Sequence, residues 1–75
     1  MEIRTKLMGP LRAKSPDGNK LEIADGSTIE DALRALDIAD DQVQSIMLNG
    51  RMELDRSRSL TADDELMILA PVGGG

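Results

Sequence analysis

The sequence predicts an α+β fold: a mixed sheet of four to five strands with one main helix packed across it, in the order β-β-α-β-(β)-β. Three observations carry that prediction. Two early segments alternate apolar and polar residues with a period of two, a middle segment carries a helical stripe, and a nearly all-apolar run lies close to the end. At 75 residues the chain is one domain, near the lower limit at which a single core holds a fold alone.

The first alternating segment is Glu2 to Met8, with Ile3, Thr5 and Leu7 on one face and Arg4 and Lys6 on the other. That pattern predicts a half-buried strand. Gly9-Pro10 interrupts it, and Ser15-Pro16-Asp17-Gly18-Asn19 is dense in turn residues. Lys20 to Ala24 resumes the alternation with Leu21 and Ile23 inward, so the two strands make a hairpin.

The helix is predicted from Ile29 to Leu36. Ile29, Ala32, Leu33 and Leu36 form one apolar stripe. Ser27 with Glu30, or Thr28 with Asp31, supplies the N-terminal cap and puts acid at the positive helix end. A helix this short does not survive alone in water, so its stripe must lie on the sheet.

Asp37 to Asp41 reads as an acidic connection and Ser45 to Leu48 as a third strand, closed by the turn signal Asn49-Gly50. Arg51 to Leu54 is a candidate short edge strand. Asp55 to Asp64 reads as loop with at most one helical turn and Leu60 as its inward anchor. Glu65 to Ala70 is the last strand, apolar enough for the middle of a sheet or for burial on both faces.

The composition excludes several functions. There is no Cys and no His, which removes thiol nucleophiles, disulfides, Cys/His metal sites and the usual neutral-pH base. There is no Phe, Tyr or Trp, so the five Met serve as adaptable core filler and stability is expected in the lower half of the usual range. No segment reads as a signal peptide or membrane span, and the expectation is a soluble cytoplasmic protein. Net charge is −5, unevenly spread: residues 1–20 carry five bases against two acids, residues 21–75 four against twelve. An acidic chain without stacking aromatics argues against nucleic acid and suggests docking on a basic protein surface.

Gly73-Gly74-Gly75 is the one feature that asks for a chemical explanation. Pro71 stops the last strand because it offers no N–H, and glycines form a slim arm that fits a narrow channel. A loose end without function is the alternative. The closing segment Asp64-Glu65-Leu66-Met67-Ile68-Leu69-Ala70-Pro71-Val72-Gly73-Gly74-Gly75, with Leu48-Asn49-Gly50-Arg51 and Ser27-Thr28-Ile29 ahead of Leu33 and Leu36, resembles the MoaD/ThiS family of ubiquitin-like β-grasp sulfur carriers. The resemblance covers nearly the whole chain. The family often has aromatics where this chain has Leu7 and Met8, and a small or polar residue is common at Gly73.

The resemblance implies a β-grasp domain over residues 1–72 and a flexible tail over residues 73–75. It implies that an E1-like adenylating enzyme of MoeB/ThiF type activates the Gly75 carboxylate with Mg-ATP. A sulfur donor protein then converts the adenylate to a thiocarboxylate. Gly75 and Gly74 are then the reactive end, Gly73, Val72 and Pro71 the part threaded into a partner, and Met67, Leu69 and Met8 a docking patch if they lie on an open face. The alternative for those three is the core. The chain itself binds no cofactor, having no phosphate-binding loop of the G-x-x-x-x-G-K-[ST] kind. The long connection from Gly9 to Asn19 and Ala70-Pro71-Val72 favour the MoaD-like branch, with the large subunit of molybdopterin synthase as partner. A ThiS-like carrier serving a thiazole synthase is the alternative, and a non-covalent β-grasp interaction module is the alternative of another class. Arg51, Arg56 and Arg58 read as solvated loop charge, and Asp63-Asp64-Glu65 as a turn whose side chains do not converge on a metal.

Overall fold

In the computed structural model, which describes residues 1–71, five strands and one α-helix follow in the order β1 (Glu2–Leu7), β2 (Lys20–Glu22), α1 (Ile29–Ala35), β3 (Ser45–Leu48), β4 (Arg51–Met52) and β5 (Glu65–Leu69). The sheet order is β2-β1-β5-β3-β4. β5 runs parallel to β1 and antiparallel to β3, and the two outer pairs are antiparallel hairpins. The sheet is therefore mixed, with the last strand at its centre as the apolar run requires.

Alternation sorts the faces. Ile3, Leu7, Leu66, Ile68, Ile46 and Leu48 point into the core and meet Ile29, Ala32, Leu33 and Leu36 of the helical stripe. β5 is not buried on both faces. Leu66 and Ile68 are fully buried, whereas Glu65, Met67 and Leu69 between them are half-buried on the side away from the helix.

Thr28 caps α1, the second of the two expected pairings: its hydroxyl accepts from the Asp31 amide and Asp31 Oδ2 accepts from the Thr28 amide. The amides of Ile29 and Glu30 donate to the carbonyls of Arg58 and Arg56 at 3.0 and 2.9 Å, so the helix end orders the loop before β5. That loop holds turns and one isolated bridge, Thr28 to Ser59, and no helical turn. Leu36 caps the other end. Asp37 turns left-handed (φ 58), and the Ile38 amide reaches back to the Leu33 carbonyl at 2.9 Å.

The largest departures from the sequence reading lie in the connections. Between β1 and β2 the chain forms 3-10 turns at Gly9–Lys14 and Asp17–Asn19, and the first of them plants Leu11 in the core. β1 stops at Leu7 rather than Met8 because Gly9 takes a positive φ, and β2 stops at Glu22 rather than Ala24. The Asp37–Asp41 connection hides Ile38, and Val43 is buried after a further 3-10 turn.

Thr5 is the one buried polar side chain among the described residues, and its hydroxyl has no hydrogen-bond partner. An orphaned buried hydroxyl costs roughly 1–3 kcal/mol. Thr5→Val is therefore expected to stabilise the fold by about 1 kcal/mol, read as a rise of about 4–8 °C in the thermal midpoint. A fall would mean that the hydroxyl finds a partner.

Candidate functional site

Where the chain leaves the sheet is determined by hydrogen bonds on both sides of β5. The Met8 amide donates to the Ile68 carbonyl at 3.0 Å and the Gln44 amide to the Leu69 carbonyl at 2.7 Å. Ala70 still packs on the core, and Pro71 is exposed. Of the expected tail residues, Val72, Gly73, Gly74 and Gly75 lie outside the described residues, as does the expected boundary between domain and tail.

On the face of the sheet away from the helix the strand residues are exposed or half-buried. Strand register places Met67 opposite Met47, Met47 opposite Met52, and Lys6 on the other side of Met67. One row across four strands thus reads Lys6, Met67, Met47, Met52. Leu69 stands opposite Ser45 in the next row, toward the tail, and half-buried Met8 follows β1 on the same side. Met67, Leu69 and Met8 are therefore brought together on the open face.

Met47, Met52 and Leu54 belong to the same surface, so the expectation that the methionines fill the core does not hold: no Met is among the buried core residues, and strand register puts Met47 and Met52 beside Met67. Met52 is 65% exposed and Leu54 87%. Those two line one shallow hollow with Gln44, Ser45 and Arg56. Exposed thioethers and a leucine at one sheet edge form a soft apolar surface suited to a protein partner. The signal available in sequence was only the alternation of Met47 with buried Ile46 and Leu48.

Asn49 does more than turn the chain. Asn49 and Gly50 both adopt positive φ (53 and 83), the pairing demanded by a tight hairpin between β3 and β4. The Asn49 side chain also donates to Asp64 Oδ1 at 2.9 Å and accepts from the Glu65 amide at 2.8 Å, and the Thr61 amide donates to Asp64 Oδ2 at 2.8 Å. The turn is thereby tied to the start of the strand that carries the tail.

Asp64 stands below the ordinary aspartate value of 3.8. Its partial burial pushes the carboxyl up, and the bonds from Asn49 and the Thr61 amide outweigh that. Asp31, lowered chiefly by the Thr28 amide, and Asp55, lowered chiefly by Ser57, shift the same way. A carboxylate held below its unfolded pKa stabilises the fold above that unfolded value, and the stability is lost as pH falls through the folded one. Unfolding free energy is thus expected to hold steady down to about pH 5 and to drop below about pH 4. Asn49→Ala is expected to cost about 1 kcal/mol at neutral pH and to make the acid loss shallower. Denaturant titrations at several pH values check both.

Among the described residues no group of three or more His, Cys, Asp or Glu is placed to hold a metal, and no helix is long and apolar enough to cross a membrane. Arg56 and Arg58 are engaged internally, with Asp40 and Glu53 at 2.7 and 2.9 Å.

The ThiS family model matches residues 5–75. The chain belongs to the ThiS family. Its ubiquitin-like β-grasp architecture has close counterparts among solved structures. Small archaeal modifier protein 1 (SAMP1) from Haloferax volcanii aligns over 100% of both chains at 24% identity with a TM-score of 0.75. A chain of the complex between subunits 1 and 2 of molybdopterin-converting factor from Helicobacter pylori aligns over 100% of both at 20% identity and 0.63. The HVO 2177 protein of Haloferax volcanii aligns over 100% of this chain and 87% of its own at 26% identity and 0.70. No curated protein matches this ThiS-family chain in sequence.

Proposed function

We propose that this ThiS-family chain is a sulfur carrier and not itself a catalyst, acting in the cytoplasm through the carboxylate of Gly75. An E1-like enzyme joins that carboxylate to the α-phosphate of Mg-ATP and releases pyrophosphate. Sulfide-level sulfur delivered by a donor protein then attacks the acyl carbon, the bond to phosphate breaks and AMP leaves, and the resulting thiocarboxylate is the cargo. Every catalytic side chain and the nucleotide site belong to the partner. This chain contributes a rigid mount, a docking face and a thin arm.

The observation that carries this reading is the position of β5. A central strand, paired with β1 as far as Ile68 and with β3 as far as Leu69, ends beside a methionine-rich face, and Ala70 and Pro71 connect it in sequence to Val72-Gly73-Gly74-Gly75. Met67, Leu69 and Met8, joined by Met47 and Met52, dock on the activating enzyme while Pro71 and Val72 lead Gly73, Gly74 and Gly75 into its active site.

For the destination of the sulfur we favour the large subunit of molybdopterin synthase, on the strength of Ala70-Pro71-Val72, the long Gly9–Asn19 connection and the fold shared with the Helicobacter pylori complex. The likeness to SAMP1 supports a second reading, a protein modifier. Sulfur-loaded chain, presented to a molybdopterin synthase large subunit with its pterin substrate, is expected to return to the carboxylate mass. Loss of sulfur only to a thiazole synthase would assign the other pathway, and amide bonds to protein lysines would assign the modifier.

A further inference from the structure

A net charge of −5 suggests a basic partner, but the structure separates the charges and reverses that expectation on the face that matters. Four of the nine bases pair with carboxylates: Lys14 with Asp37, Arg34 with Asp31, Arg56 with Asp40 and Arg58 with Glu53. The other five, Arg4, Lys6, Arg12, Lys20 and Arg51, are all exposed, and none forms an ion pair among the described residues; Arg51 stands apart on β4, at the other edge of the sheet. Lys20 stands directly opposite Arg4, a like-charge pair that destabilises a sheet. Arg4 also neighbours Glu65 in register, yet its guanidinium reaches only the Asp63 carbonyl, at 3.4 Å. Exposed unpaired cations are common, so a reason for Arg4, Lys6, Arg12 and Lys20 has to come from where they stand.

Their order along the strands supplies one. On the open face Glu2 opposes Glu22 at the end remote from the tail, Arg4 and Lys20 come next, and then Lys6 beside Met67. At the tail end, Lys6 and Arg12 line one hollow of about 320 Å³ with Met8, Ser15 and Asn19. The sign of the charge thus changes from negative to positive toward the point where β1 and β5 end together and the chain goes on to the glycines.

We propose that the activating enzyme receives this chain on a carboxylate-rich rim beside the apolar groove that takes the Met67–Met47 row. Lys6 and Arg12 meet that rim, and Arg4 and Lys20 stand behind them. This inference rests on the carrier reading and adds the chemistry of the partner surface. The acidic remainder of the chain is repelled by the same rim, so encounter is oriented with the tail toward the active site.

The test uses the full chain and the E1-like enzyme of the same genome, with pyrophosphate release as readout. Reversing both charges, Lys6→Glu with Arg12→Glu, is expected to raise KM for the carrier by about tenfold or more with kcat nearly unchanged. Arg34→Glu, an equal change per site on the helix, is expected to leave KM within about twofold. Raising salt from about 50 to about 300 mM should increase the wild-type KM several-fold and that of the double variant much less. All three side chains are exposed, and thermal melts verify that the variants fold. An unchanged or lowered KM in the double variant, or a wild-type KM that falls with salt, overturns the acidic rim while leaving the carrier reading intact. Failure of the wild-type chain to release pyrophosphate overturns both.

Discussion

Ile68→Ala is expected to destabilise the fold by about 2–5 kcal/mol, while Met67→Ala, one position earlier on the same strand, costs well under half of that. Ile68 is completely buried between the sheet and the helix, so truncation removes apolar contacts and leaves a cavity. Met67 faces the open side and is only half-buried. A chain of this size has a total stability on the order of 4–11 kcal/mol, so the first change removes a large share of it. Urea unfolding of the two variants reads the difference. Equal losses would mean that a second layer covers the open face.

Met67→Glu is expected to have the opposite profile: a fold close to wild type, and a KM for activation raised by roughly 10–100-fold. A central contact in a protein interface is commonly worth about 2 kcal/mol or more, and a carboxylate there also has to be desolvated. Met67 sits in the middle of the row, between Lys6 and Met47. Met67→Leu keeps the apolar surface and is expected to restore a KM near wild type, which separates loss of docking from a general disturbance of β5. A melt unchanged within a few degrees alongside an unchanged KM would remove the open face from the docking surface.

Periodic elements were legible. The alternation of Ile3, Thr5 and Leu7, the stripe of Ile29, Ala32, Leu33 and Leu36, and the apolar run at β5 each state their geometry, because burial imposes a repeat of two or of about 3.6 residues. The connections were only partly legible: Leu60, the expected anchor of the loop before β5, is buried, but other core residues in the connections gave no signal. Leu11, Ile38 and Val43 enter the core singly from 3-10 turns and cap geometry, with no repeat to announce them.

The open face was half legible. Met67 and Leu69 alternate with buried neighbours, but which methionines stand side by side depends on strand register, and register is a property of the folded pairing. The same limit applies to charge. Net charge reads off the composition, whereas the segregation of Arg4, Lys6, Arg12 and Lys20 needs the sheet order β2-β1-β5 to become visible. Asn49 was legible as a turn residue, while its hold on Asp64 and Glu65 required both strands in place.

The central claim is that Gly75 carries the sulfur, and intact mass tests it most directly. The chain, incubated with Mg-ATP, an E1-like enzyme and a sulfide source, is expected to gain the mass difference of one oxygen replaced by one sulfur, and the chain lacking Gly75 is expected to gain nothing. An unchanged mass with several such enzymes, or the same gain in the truncated chain, would contradict the account.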